Sequence, residues 1–455
     1  MKHSHSQPIA IHWMRRDLRL QDNRALVNAL KSGHPVICCF IFDRGILDLL
    51  QNKRDRRVAF IHRELYRLQA ELNDYGTPLL VGYGSVADIW TQWMEDFTAA
   101  SIKISEVHTA RDYEPYAQER DRSMAELFRK HKVEFKGVKD SVILEKDEVL
   151  KKDGLPYTVF TPYSRKWKEA LRDHDILEAN SIELLAVSDN RFFESHDHWT
   201  APEIPSLTSM GFETPSDLDV CIPSPHIDSS RLEQYAEQRD FPAVAGTSRL
   251  SLHLRFGTVS IRAAYRQGIE ASEKWVMELI WRDFYQMIVY HFPHAAKDSF
   301  RPAYDRIPWS NDEEHFAAWC AGKTGYPIVD AGMRELLATG FMHNRVRMVV
   351  ASFLCKHLLI DWRWGEQHFA AHLLDYDLAS NVGGWQWAAG CGCDAAPYFR
   401  VFNPTAQQAK FDRQATYIQK WVPEYGTSAY PEPIVEHAVA RVKAIETYKA
   451  ALQKD

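Results

Sequence analysis

Two hydrophobic periods run along this chain, and the change from one to the other constrains the fold more than any single residue does. Over the first ~140 residues, short apolar or β-branched runs (PIAIHWM, PVICCFIF, TPLLVGYG, ISEVHTA) alternate with helical stretches such as RVAFIHRELYRLQAELNDYG, which closes on Gly76 as a C-cap. Strand–helix alternation implies βαβ units and a parallel sheet. No G-x-G-x-x-G follows the first strand, so the usual dinucleotide fingerprint is absent. From residue 231 onward the period is helical, as in KWVMELIWRDFYQMIVYHF, PIVDAGMRELLATG and RVRMVVASFLCKHLLI. Between the two lies SHDHWTAPEIPSLTSMGFETPSDLDVCIPSPH, rich in Pro, Ser, Thr and Asp, which reads as a long surface connection. The expectation is an α/β domain over 1–140, a linker over 141–230 and an all-α domain over 231–455.

A length of 455 residues agrees with two domains rather than one core. No apolar run approaches the ~20 residues that span a bilayer. The N-terminus, MKHSHSQPIAIHW, lacks a secretory apolar stretch, so a cytoplasmic location is expected. A net charge of −6 excludes a uniformly basic nucleic-acid coat but not a local basic groove. Seven scattered cysteines have no framework spacing and read as reduced thiols. Cys391 and Cys393 form a C-x-C, but no second Cys/His pair stands at zinc spacing, so no metal site is expected.

Four clusters carry candidate chemistry. In Gly246-Thr247-Ser248-Arg249-Leu250-Ser251, hydroxyls gather at the start of a helix, either as an anion site or as an ordinary N-cap. Glu278, Trp281, Arg282 and Tyr285 fall at i, i+3, i+4 and i+7 and share a helix face. They form either a polar–aromatic cleft wall or a surface Glu278–Arg282 ion pair. In Met342-His343-Asn344-Arg345-Val346-Arg347-Met348, Asn344 and Met348 lie one turn apart with Arg347 near their face; Asn344 either binds a base or flavin edge or caps the helix. Asp375, Asp377 and Asn381 precede Gly383-Gly384-Trp385-Gln386-Trp387, where the glycines either break a helix or let a ligand approach.

Taken in order, GTSRLS, ELIWRDFY, GKTGYPIVDAGMREL, MHNRVRM, DYDLASNVGGWQWAAG and DAAPYFRVFNP resemble the flavin domain of class I cyclobutane pyrimidine dimer photolyases, in the photolyase/cryptochrome family. Trp13 to Leu20 with Asp22-Asn23 is similar to the family's opening, with Met14 in place of the more usual aromatic. The resemblance spans roughly residues 8 to 450. It implies a Rossmann-like antenna-type domain followed by a helical FAD-binding domain. By motif matching, Tyr235 and Thr247, Ser248, Arg249, Leu250 and Ser251 would hold the FAD phosphates. Trp275, Glu278, Arg282, Arg347, Asp375 and Asp377 would line the flavin and ribose, with Arg347 and Asp375 as an ion pair. Asn381 would face flavin N5.

The implied activity is light-driven repair, in which reduced FAD gives an electron to a dimer flipped out of DNA. Trp281 and Trp387 would stack on the dimer, and Glu278, Asn344 and Met348 would contact it. Trp385, Trp362 and Trp309 match the family's electron-transfer chain. Arg239, Arg282, Arg345, Arg400 and Gln407 match DNA-contact positions. The intact H-N-R-x-R-M pattern implies dimers rather than (6-4) products. A second chromophore, a folate or a deazaflavin, is compatible with Arg111 to Tyr116, although the Asn-Glu pair of the folate pattern is missing near Tyr116 and Ala117. The implied partner is damaged DNA, met by a monomer. The alternative is a cryptochrome-type blue-light receptor without repair activity.

Overall fold

The computed structural model describes residues 8–188 and 201–453. The first residues of the N-terminal reading and positions 189–200 of the expected linker lie outside the described residues. The chain forms two units, and each is built from separated segments. One comprises residues 1–145, 171–226 and 250–266; the other comprises 146–170, 227–249 and 267–455.

The first unit is organised by five parallel strands: β1 (Ile9–Trp13), β2 (Val36–Asp43), β3 (Leu79–Gly84), β4 (Ile104–Ala110) and β5 (Glu134–Val138). Their spatial order is β3-β2-β1-β4-β5. Every residue of β1 and β2 is buried, which is why both read as continuous apolar runs rather than alternating ones. Helices Arg24–Leu30, Arg56–Asn73, Val86–Ala99 and Pro115–Lys130 connect the strands. The edge strand β5 is half exposed and carries Glu134 and Lys136, charges that discourage pairing with another sheet. Residues 201–226, within the expected linker, pack Ile204, Leu207, Met210 and Phe212 into this unit and form the short helix Leu218–Cys221.

The segment 250–266 is tied to that unit by charge. Arg262, 1 % exposed at its side chain, donates Nε to Asp22 Oδ1 at 2.9 Å and Nη2 to Asp140 Oδ1 at 2.8 Å. Arg19 donates Nη2 to the other oxygen, Asp140 Oδ2, at 2.6 Å. Burial alone would raise the Asp140 pKa, but the two guanidiniums hold it far below the usual carboxylate range.

The second unit is helical. Its core gathers Trp319, Met333, Val350, Phe353, Trp362, Trp385 and Tyr448 around the helices Pro327–Thr339, Asn344–Ser352, Trp362–His372 and Leu378–Ala389. A stretch of π-helix, Phe353–His357, continues from Asn344–Ser352. The helix Phe160–Ala170, within the expected linker, belongs to this unit. No helix among the described residues is long and apolar enough to cross a membrane.

Removing Asp140 would take from Arg19 its carboxylate partner and leave Arg262 with Asp22 alone. Asp140→Ala is expected to lower unfolding free energy by about 3–5 kcal/mol, read from urea denaturation. Because the carboxyl's folded pKa is depressed, its contribution is present above the unfolded value of about 3.9 and fades as pH falls below it. The wild type should therefore lose more stability than Asp140→Ala on acidification below about pH 4.

Candidate flavin and lesion site

The candidate groups of the helical unit converge from five stretches of chain. Tyr235 is buried on the short helix Tyr235–Gln238. The following turn runs back along that helix: a Cβ added at Gly246 would sit 2.4 Å from Gln238 Cβ. Thr247 and Ser248 precede a helix rather than cap one. That helix, Ser251–Phe256, is preceded by Leu250 without a side-chain cap bond, and both Leu250 and Ser251 belong to the first unit. Arg249, between Ser248 and Leu250, stands in the left-handed region at φ 54°. This conformation costs a non-glycine L-residue energy and tends to be retained where the surrounding structure over-determines it. Its guanidinium lies over the Phe341 ring at 4.1 Å, and its Nε is buried without a partner among the described residues.

The helix Glu273–His291 carries Trp275, Glu278, Trp281 and Arg282. Trp275 donates Nε1 to Ser248 Oγ at 3.2 Å. Glu278 is ion-paired with Arg239. Burial pushes the Glu278 carboxyl up, against the opposing pull of Arg239. The Arg239 guanidinium also lies over Tyr235 at 5.2 Å. Trp281 stacks on Phe160, with ring centroids 3.6 Å apart and 5° between planes. Arg282 is half-buried on the same helix.

His343, rather than Asn344, caps the helix Asn344–Ser352: its Nδ1 accepts from the Arg345 amide at 3.1 Å. Asn344, the first helical residue, is exposed. Arg345 reaches Asp240 Oδ1 at 2.8 Å, lies over Phe411 at 4.4 Å and comes within 3.9 Å of Met348 Sδ. Arg347 donates Nη2 to Asp375 Oδ2 at 3.0 Å and Nε to the Met342 carbonyl at 2.7 Å.

At Gly383-Gly384 the close neighbour is a ring of the protein itself, Tyr285. Both glycines lie inside the continuous helix Leu378–Ala389, so the predicted break does not occur. A Cβ at Gly383 would meet the Tyr285 ring at 2.3 Å, whereas one at Gly384 would meet nothing within 4 Å. Asp377 caps this helix, accepting from the Ser380 amide at 3.0 Å and from Gln286 Nε2 at 3.0 Å. Asn381, one turn further, donates Nδ2 to Glu366.

Trp385 and Trp362 are both 2 % exposed within the core, and the half-buried Trp309 packs on its edge. A small cleft is lined by Trp387, Tyr285, Gly383 and Asp394, among others, but by none of Trp281, Asn344 or Asn381. Exposed Arg400 lies over Phe402 at 5.3 Å and Trp387 at 6.0 Å. Gln407 is half-buried on the helix Pro404–Phe411. Sequence reasoning did not pick out Asp240, His343 or Glu366, whose partners stand far away in sequence or engage through the backbone. Among the described residues no group of three or more His, Cys, Asp or Glu is arranged to hold a metal ion.

An unpaired buried guanidinium nitrogen beside two hydroxyls suits a phosphate, and an ion-paired aspartate with an amide suits the edge of a polar heterocycle. The donor set therefore fits a flavin nucleotide, and the helical unit defines a flavoprotein. Residues 275–429 match the model of the FAD binding domain of DNA photolyase, and residues 10–181 match the DNA photolyase model. The deoxyribodipyrimidine photo-lyase of Synechococcus is 37 % identical over 94 % of this chain and 93 % of its own. The structure of a class III photolyase from Agrobacterium tumefaciens superimposes with TM-score 0.85 at 32 % identity over 99 % of both chains. A Synechocystis cryptochrome does so with TM-score 0.78 at 26 % identity, over 98 % of this chain and 100 % of that one. The chain belongs to the DNA photolyase family of lyases and carries that family's FAD-binding domain.

Desolvation lowers the His343 pKa to about 4. A His with a depressed folded pKa stays neutral in the native state while the unfolded chain takes up protons below about 6.5, so its contribution declines as pH falls from about 6.5 toward 4. Asn is a good N-cap that does not titrate. His343→Asn should therefore narrow the stability loss between pH 7 and pH 4 by on the order of 1–3 kcal/mol, measured by denaturant unfolding at each pH.

Proposed function

We propose that this photolyase repairs cyclobutane pyrimidine dimers in DNA, with FAD seated in the helical unit against Tyr235, Thr247, Ser248, Arg249, Trp275, Arg347, Asp375, Asp377 and Asn381. The observation that carries the reading is the charge cluster around Glu278. Two guanidiniums, Arg239 and Arg345, are held by two carboxylates, Glu278 and Asp240, and Met348 lies beside them. Arginines paired this way can exchange a carboxylate for a DNA phosphate. Once Arg239 turns to a phosphate, Glu278 loses the ion pair that opposes the upward push of burial on its carboxyl. A protonated Glu278 can donate a hydrogen bond to a pyrimidine carbonyl of an extruded dimer, where charge develops during repair.

Asn344, exposed at the helix start, offers both an acceptor and a donor to a base edge. Trp387 and Arg400, close together, supply an aromatic face and a cation for an unstacked base and its phosphate. Trp281 stacks on Phe160 and neighbours the Tyr285 ring at 5.3 Å, an aromatic cluster against which an unstacked base can pack. When bound, reduced FAD supplies the light-driven electron. Trp385, Trp362 and Trp309 supply the path by which oxidised FAD regains electrons. The crevice beyond β1 and β4, where the strand order reverses, is the natural place for an antenna chromophore. Its polar groups are mutually engaged: Tyr113 donates to Glu145 at 2.7 Å and Tyr116 to Asp43 at 2.5 Å. A folate or deazaflavin would have to displace such bonds. The repair acts in the cytoplasm, by a monomer.

Arg345→Ala and Arg400→Ala should each weaken binding to dimer-containing DNA and reduce the salt slope by about one phosphate's worth. An unchanged affinity across salt would discredit these contacts. Under illumination the enzyme should restore dimers and leave (6-4) products intact. Turnover of (6-4) products would overturn the substrate assignment, and binding without any repair would favour the cryptochrome-type alternative. Trp385→Phe should block photoreduction of oxidised FAD while leaving repair by chemically reduced enzyme close to wild type.

A further inference from the structure

Asn381 makes both of its side-chain hydrogen bonds to one residue. Its Nδ2 donates to the backbone carbonyl of Glu366 at 3.2 Å and to Glu366 Oε1 at 2.9 Å. A backbone carbonyl can only accept, so the NH₂ end of the amide must face Glu366 and Oδ1 must face the other way. Turning the amide over would set Oδ1 against two acceptors with no hydrogen between them. No described residue donates to Oδ1. Glu366 lies on the helix Trp362–His372, and the Tyr376 hydroxyl reaches the same carboxyl oxygen at 3.4 Å.

We propose that Glu366 is a positioning residue that fixes the direction of the Asn381 amide, so that its carbonyl oxygen is offered as an acceptor to the N–H of the reduced flavin ring. This rests on the reading that Asn381 faces flavin N5. Reduced flavin carries a hydrogen on that nitrogen and oxidised flavin carries a lone pair. An acceptor fixed there binds the first and repels the second. Glu366 thereby helps to hold FAD in the reduced form without touching it. Burial pushes the Glu366 carboxyl up despite the bonds from Asn381 and Tyr376, so the group need not be charged to do this; an acceptor oxygen suffices.

The test uses FAD-loaded protein, photoreduced without oxygen and then mixed with air, with flavin reoxidation followed by visible absorption. Glu366→Gln retains an acceptor oxygen and should reoxidise within about twofold of wild type. Glu366→Met, similar in size but with no acceptor, should reoxidise roughly tenfold faster, the effect of one hydrogen bond. Asn381→Ala should do the same, and Glu366→Met/Asn381→Ala should be no faster than Asn381→Ala alone, because the two residues act through one bond. Glu366→Met behaving as wild type while Asn381→Ala is fast would overturn the positioning role and leave the Asn381 reading intact. Glu366→Gln as fast as Glu366→Met would also overturn it, since charge and not amide direction would then matter. An unchanged rate in Asn381→Ala would remove the reading beneath it. Should Glu366→Met fold poorly, Glu366→Thr supplies a second variant too short to reach the Asn381 amide, with the same expectation.

Discussion

Asp377 joins the two helices on which the candidate site is built. One carboxylate oxygen accepts from the Ser380 amide and so starts the helix Leu378–Ala389; both accept from Gln286, in the middle of the helix Glu273–His291. Asn381, Gly383, Gly384, Trp385 and Trp387 all follow from the orientation of the first helix, and Trp275, Glu278, Trp281 and Arg282 from that of the second. A carboxylate at a helix N-terminus also meets the positive end of the helix dipole. The glycine at 383 then lets the Tyr285 ring press on the helix backbone, a contact that any larger residue would prevent. Spacing between these two helices is thus set by a polar anchor at one point and by a missing side chain at another.

The polar residues of the site follow one rule: a charge removed from water must be answered. Arg347 is answered by Asp375, Arg345 by Asp240, and Arg239 by Glu278. Arg249 Nε, Arg345 Nε, Gln286 Oε1 and His343 Nε2 are among the buried atoms left without a partner among the described residues. A site prepared for a charged cofactor and a charged substrate cannot be fully satisfied before they arrive. Its remaining pairs are those that a phosphate can replace.

Much of the architecture was legible from the chain. Parallel strands buried on both faces must read as unbroken apolar runs, as PVICCFIF does, and amphipathic helices of the second unit keep a period that strands cannot imitate. Residues close in sequence were also readable as groups, because Glu278, Trp281 and Arg282 share a helix face whatever surrounds them. What was hidden depends on contacts distant in sequence. The partner of Glu278 is 39 residues away, at Arg239. Paired glycines suggested a break because glycine is a poor helix former, but packing against Tyr285 outweighed propensity. Asn344 looked like the cap, yet the residue before it has a ring nitrogen able to accept from the Arg345 amide. Glu366 sits in no motif, and only the fold brings it to Asn381. The expected linker gave the least warning. It contains the helix Phe160–Ala170, whose Trp167 reaches Asp283 at 3.0 Å in the helical unit, a contact 116 residues away in sequence.

The interleaving of the two units has a consequence for synthesis on the ribosome. Asp22 and Asp140 emerge early, but Arg262, which both require, follows 122 residues after the second of them. Until it appears, the nascent sheet carries two carboxylates with an incomplete set of cations and cannot dehydrate them fully. The parallel sheet must therefore wait, partly wet, until residue 262 is made, although its last strand ends at residue 138.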